Sequence, residues 1–150
     1  MSNLPKSVEI LFNNPKLDIA KALIIIYILS NRKKSIKVGE YIYYSIMNNC
    51  YDENVSSEIN LRCSYFEINN TLKLTLLNLC NLGYIELDNK DCKSLIDLYI
   101  VIKDKGKKVA VELQGAYYEH LKENIAILNK QFKYNKKEIV RMVEGTNEGA

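Results

Sequence analysis

The nine residues ALIIIYILS, Ala22 to Ser30, set the strongest constraint on how this chain can fold. A helix here, predicted from about Leu17 to Leu29, is apolar on nearly every side, so other elements must enclose it. Crossing a bilayer would take about 20 apolar residues, and Asp18 and Lys21 stand just before the run. The segment is therefore expected at the centre of a core, with no membrane partner. Met1 to Pro5 lack the charged start of a secretory signal, which points to a cytoplasmic protein.

Material to enclose that helix is present. The chain has 150 residues, 47% of them hydrophobic, enough for one domain with a real core. SIKVGEYIYYSIMNN predicts a second helix over residues 39 to 47, with Ile42, Ile46 and two or three of Tyr41, Tyr43 and Tyr44 turned inward. Residues 48 to 69 are polar and aperiodic, and read as a loop with a short helix around residues 57 to 64. NTLKLTLLNLCNLGYIEL, residues 70 to 87, predicts a helix, a break at Gly83 and a strand. SLIDLYIVIK follows as a second strand, and DNKDCK between them makes the pair a β-hairpin.

Beyond the hairpin, Leu113, Tyr117, Leu121, Ile125, Leu128 and Phe132 form a one-sided helical stripe. The predicted helix runs from residue 103 to 132, and Gly115 is the candidate break within it. A last short helix begins after Asn135, whose side chain suits a cap with Glu138 three residues on; Gly145 ends it. The expected class is mainly α with a small β-hairpin, α+β, as a single domain over residues 1 to 150. Residues 103 to 145 form its helical extension and residues 146 to 150 a loose tail.

No catalytic set is evident. Cys50, Cys63, Cys80 and Cys92 are 13, 17 and 12 positions apart, with no CxxC pair, and His120 is the only histidine. Reduced thiols and no metal are the expectation. The six glycines form no phosphate-binding loop, and Asp52–Glu53 lies in a polar connection, so neither a cofactor nor a general acid–base pair is expected.

Charge is distributed unevenly. Residues 1 to 50 carry seven basic and three acidic side chains, residues 51 to 100 four and eight, and residues 101 to 150 ten and seven. The middle third, which holds the 70–82 helix and the hairpin, is thus the acidic one. On a wheel, Leu72, Leu76, Leu79 and Cys80 are assigned to the core face of that helix. The opposite arc carries Asn70, Thr71, Leu74, Thr75, Asn78 and Asn81, with Lys73 at its flank. A duplex takes much of its affinity from Lys and Arg against phosphate, and an uncharged face with an exposed leucine suits a protein partner better. Asn70, Leu74, Asn78 and Asn81 are the candidate partner-facing residues.

LGYIEL followed by LYIVIKDKGKKVAVEL is similar to the wing and following helix of MarR-like and PadR-like winged-helix proteins. That resemblance implies a winged helix-turn-helix with a C-terminal helical extension. FNNPKLDIAKALIIIYILS, GEYIYYSIMNN, the winged segment and VELQGAYYEHLKENIAILNKQF together resemble the middle components of bacterial three-component ABC-ATPase conflict systems. In those systems a small subunit is thought to link an ATPase and an effector in defence against phage or plasmids.

Two expectations follow. The first is a non-enzymatic winged-helix adaptor that binds protein subunits, an ABC-type ATPase and an effector among them. The alternative is a MarR- or PadR-like transcriptional regulator, a homodimer through residues 107 to 143. It would contact the DNA backbone with Arg32, Lys33, Lys34 and Lys37 and with Lys103, Lys105, Lys107 and Lys108.

Overall fold

A computed structural model of the chain describes residues 15–31, 33–52, 71–89 and 94–139. The expected short helix around residues 57 to 64, the hairpin tip at residues 90 to 93, Gly145 and the tail lie outside them.

Helix α1, Pro15–Leu29, is the centre of the core. Ala22, Leu23, Ile24, Ile25 and Ile26 are each no more than 1% exposed. Each such Leu or Ile contributes about 1.5–3 kcal/mol over an exposed one. Five consecutive buried positions require cover on every side. The cover comes from helix α2 (Val38–Asp52), strand β3 (Tyr99–Ile102), helix α4 (Asp104–Glu112) and helix α5 (Ala116–Gln131). No helix among the described residues is long and apolar enough to cross a membrane.

Helix α2 is longer than its expected span and continues into residues read as loop from the sequence. A tertiary bond accounts for part of this: buried Asn124 on α5 donates its Nδ2 to Oδ1 of buried Asn48 on α2. Tyr41, Tyr43 and Tyr44 are all buried. Tyr43 meets Tyr44 and Tyr134 edge to face, with centroids 5.1 and 5.9 Å apart, and the Tyr44 hydroxyl donates to the Phe132 carbonyl at 2.7 Å.

Helix α3 spans residues 71–81. It closes on Gly83, whose φ of 78° is in the left-handed region. The Tyr84 N–H bonds the Leu79 carbonyl and the Gly83 N–H bonds the Cys80 carbonyl, each at 3.0 Å, the two bonds of a Schellman ending. Strand β2, Ile85–Asp88, pairs antiparallel with β3 in the register Ile85↔Ile102 to Asp88↔Tyr99.

The second strand is shorter than SLIDLYIVIK suggests. Its first part is a 3-10 turn, Leu95–Asp97, in which the Ser94 hydroxyl donates to Asp97 at 3.1 Å. Local bonding by a serine and an aspartate competes with the extended form. Asp97 also pairs with Lys136 at 2.8 Å, and that bond holds its carboxyl below the usual carboxylate range. A third strand, β1 (Ile36–Lys37), pairs antiparallel with β3 on the edge away from β2, giving the order β1-β3-β2. The hairpin is thus part of a three-stranded antiparallel sheet in a mostly helical α+β fold.

The predicted long helix is two helices. Gly115, at φ 123°, separates α4 from α5, and the Lys122 ammonium donates to the Leu113 carbonyl in the connection at 2.9 Å. Leu121, Ile125 and Leu128 of the stripe are buried. Tyr117 and Phe132, expected to turn inward, are instead 44% and 37% exposed. Tyr117 lies in the first turn of α5, where Tyr118 is the ring packed on the core, and Phe132 has already left the helix for extended backbone. Asn135 caps a final turn at residues 136–139 by accepting the Lys137 N–H at 2.9 Å.

Candidate interaction surface

Helix α3 is amphipathic by burial. Leu72, Leu76 and Leu79 are 2% exposed or less, whereas Leu74 is 62% and Leu77 56% exposed. Asn81, Leu82, Thr71 and Lys73 are also exposed, and Asn78 and Cys80 are half-buried. Asn70 lies outside the described residues.

Two assignments made from the sequence change. Thr75, placed on the outward arc, is buried; on a wheel at about 100° per residue it falls about 40° from Leu79, and its hydroxyl does not override that position. Leu77, not among the candidate partner-facing residues, belongs to the outward face. Its wheel position, about 40° from Asn81, was the available signal. The outer face is therefore two leucines among small polar groups, with Lys73 as its one charge among the described residues.

The described part of the neighbouring hairpin carries the acidic Glu86, Asp88 and Asp97 and no basic side chain. Glu86 on β2 pairs with Lys103 at 3.1 Å, and the Lys105 ammonium sits 5.5 Å from the Tyr84 ring centroid. Burial, with Glu86 nearby, pushes the Cys80 thiol up, away from the thiolate a nucleophile needs. His120 is exposed on α5. Among the described residues no group of three or more His, Cys, Asp or Glu side chains could hold a metal ion.

The basic residues proposed for DNA are only partly brought together. Lys33 pairs with Glu40 at 3.3 Å, and Lys37 lies 5.7 Å from the Tyr99 ring centroid. Arg32 lies outside the described residues. Lys34, Lys107 and Lys108 are exposed. Of the two sets, Lys33, Lys34 and Lys107 line one open cleft, together with Ser30, Asn31, Val101 and Ile102, at the root of the β2–β3 hairpin. Lys37, Lys103, Lys105 and Lys108 are not among its lining residues.

No family model, curated protein or solved structure matches this chain.

Proposed function

We propose that the chain is a non-enzymatic adaptor built as a winged helix, with α3 as the helix that would otherwise read DNA and β2–β3 as the wing. The order helix, short strand, helix, α3, hairpin, with β1-β3-β2 in the sheet, supports that reading of the fold. One observation carries the function: the face a DNA reader would line with cations instead presents Leu74 and Leu77 beside Asn78 and Asn81. Apolar side chains rimmed by small polar groups match the composition of a protein interface. The resemblance to middle components of ABC-ATPase conflict systems makes an ATPase and an effector the natural partners, in defence against phage or plasmids.

Co-expression with the products of adjacent genes tests this. The chain should co-purify with at least one of them, and Leu74→Asp with Leu77→Asp should abolish the association. A protein that emerges alone and binds only duplex DNA would sink the proposal.

The MarR- or PadR-like regulator keeps one observation in its favour, the meeting of Lys33, Lys34 and Lys107 at one cleft. Titration of labelled duplex at low salt discriminates, since non-specific phosphate binding alone would register at micromolar protein.

A further inference from the structure

The cleft at the hairpin root has features that the adaptor reading does not use. It is an open depression of about 560 Å³, accessible to a ligand from solvent. Of its three lysines, Lys33 is offset by Glu40, while Lys34 and Lys107 have no carboxylate partner among the described residues. Ser30 lines the same cleft, is 9% exposed, and its buried Oγ has no hydrogen-bond partner among the described residues. Such a hydroxyl costs about 1–3 kcal/mol, which a change of rotamer toward an oxygen in the cleft would relieve.

The end of α1 would ordinarily disfavour an anion, since carbonyls point outward there. Here part of that negative end is already met. The Ile26, Ile28 and Ser30 carbonyls accept the N–H groups of Ser30, Asn31 and Lys33 at 2.9, 3.3 and 3.2 Å. What remains is an open wall that carries ammonium groups and the Asn31 amide, with the unsatisfied Ser30 hydroxyl buried behind it.

We propose that this cleft is an anion site for a compact, multiply charged phosphate compound of the di- or triphosphate kind. Lysine ammoniums neutralise phosphate oxygens as point charges without needing the planar fork that favours arginine for carboxylates. Ser30 and Asn31 add neutral donors to a tetrahedral group rich in acceptors. A duplex is the poorer occupant, because it gains affinity by meeting about 6–10 phosphates along an extended stripe. Lys34 and Lys107, with Lys33 shared with Glu40, meet at one open cleft and suit a short polyanion. The inference is independent of the partner proposed for α3.

Calorimetric titration of the full chain with tripolyphosphate at fixed ionic strength is the test. Binding should be saturable with one site, and Lys34→Gln and Lys107→Gln should each weaken it about tenfold. Lys108→Gln, outside the cleft, should leave it unchanged. Ser30→Ala should raise the melting temperature of the free protein while reducing the rise that tripolyphosphate produces, a crossed pattern that mere destabilisation cannot give. Heats that never saturate, or equal loss in Lys108→Gln, would overturn the site. A short duplex that binds more tightly than tripolyphosphate and is lost in the same lysine variants would overturn the small-ligand assignment.

Discussion

Gly106 lies against the backbone of Tyr84: a Cβ at position 106 would come 3.0 Å from the Tyr84 carbonyl carbon and 3.1 Å from its Cα, and closer still to its oxygen. That oxygen accepts the Lys103 N–H at 2.8 Å, so it is fixed where the hairpin closes. The glycine of the KDKG run is thus the point at which α4 seats on the turn leaving α3. Gly106→Ala should cost about 1–3 kcal/mol, because backbone rather than a flexible side-chain tip must move. Gly115→Ala meets nothing within 4 Å but must hold φ near 123°, so its cost comes from conformational strain alone. Urea denaturation of both variants checks this; a Gly106→Ala protein as stable as wild type would show that the contact is not tight.

The buried amide pair joining α2 to α5 should behave as a unit. Asn124→Leu leaves the Asn48 Oδ1 without its donor, at about 1–3 kcal/mol. Asn48→Leu combined with Asn124→Leu should cost less than Asn124→Leu alone, because no orphaned polar atom remains. Equal or additive losses in thermal melts would contradict a direct bond.

Alkali should weaken the fold by drawing protons from its enclosed tyrosines. Burial is the first cause that pushes the Tyr41, Tyr44 and Tyr134 hydroxyls from 10.0 up to about 12. Below pH 10 both folded and unfolded chains keep these protons, and the contribution is constant. Between pH 10 and about 12 the unfolded chain releases them and the folded one does not, so stability falls as pH rises. Denaturation midpoints across that window, with tyrosinate absorbance followed in parallel, should show the decline. A flat profile would argue that these phenols are accessible to solvent.

The outward leucines of α3 should be silent in stability. Leu74→Asp and Leu77→Asp each replace a side chain more than half exposed, and each should change unfolding free energy by no more than about 0.5 kcal/mol. A larger loss for either would mean that the side chain is packed within the fold and is not free for a partner.

Periodicity made the helical parts legible. The enclosed α1, the Leu72–Leu76–Leu79 face and the break at Gly115 all follow from spacing and from what glycine permits. Strand β1 was invisible because two residues, Ile36 and Lys37, carry no period; only pairing with β3 makes them a strand. Thr75 is buried against the suggestion of its polarity, because its angle places it beside Leu79. Leu74 and Asn81 sit outward as expected, but the cleft could not be foreseen. Lys33 and Lys34 stand far in sequence from Lys107, and only the packing of α1 against α4 and β3 brings them together.

Strand β1 also bears on how the chain folds. The β2–β3 pairs join residues 11 to 17 positions apart, from Asp88↔Tyr99 to Ile85↔Ile102, whereas Ile36↔Ile100 spans 64. Closing the longer loop costs more chain entropy, and the only return at the sheet is a strand of two residues. On chain entropy alone that edge is a poor nucleus. The sheet's outer edge is therefore expected to form after the hairpin, and pulsed hydrogen exchange that protected β1 before β2 would contradict this.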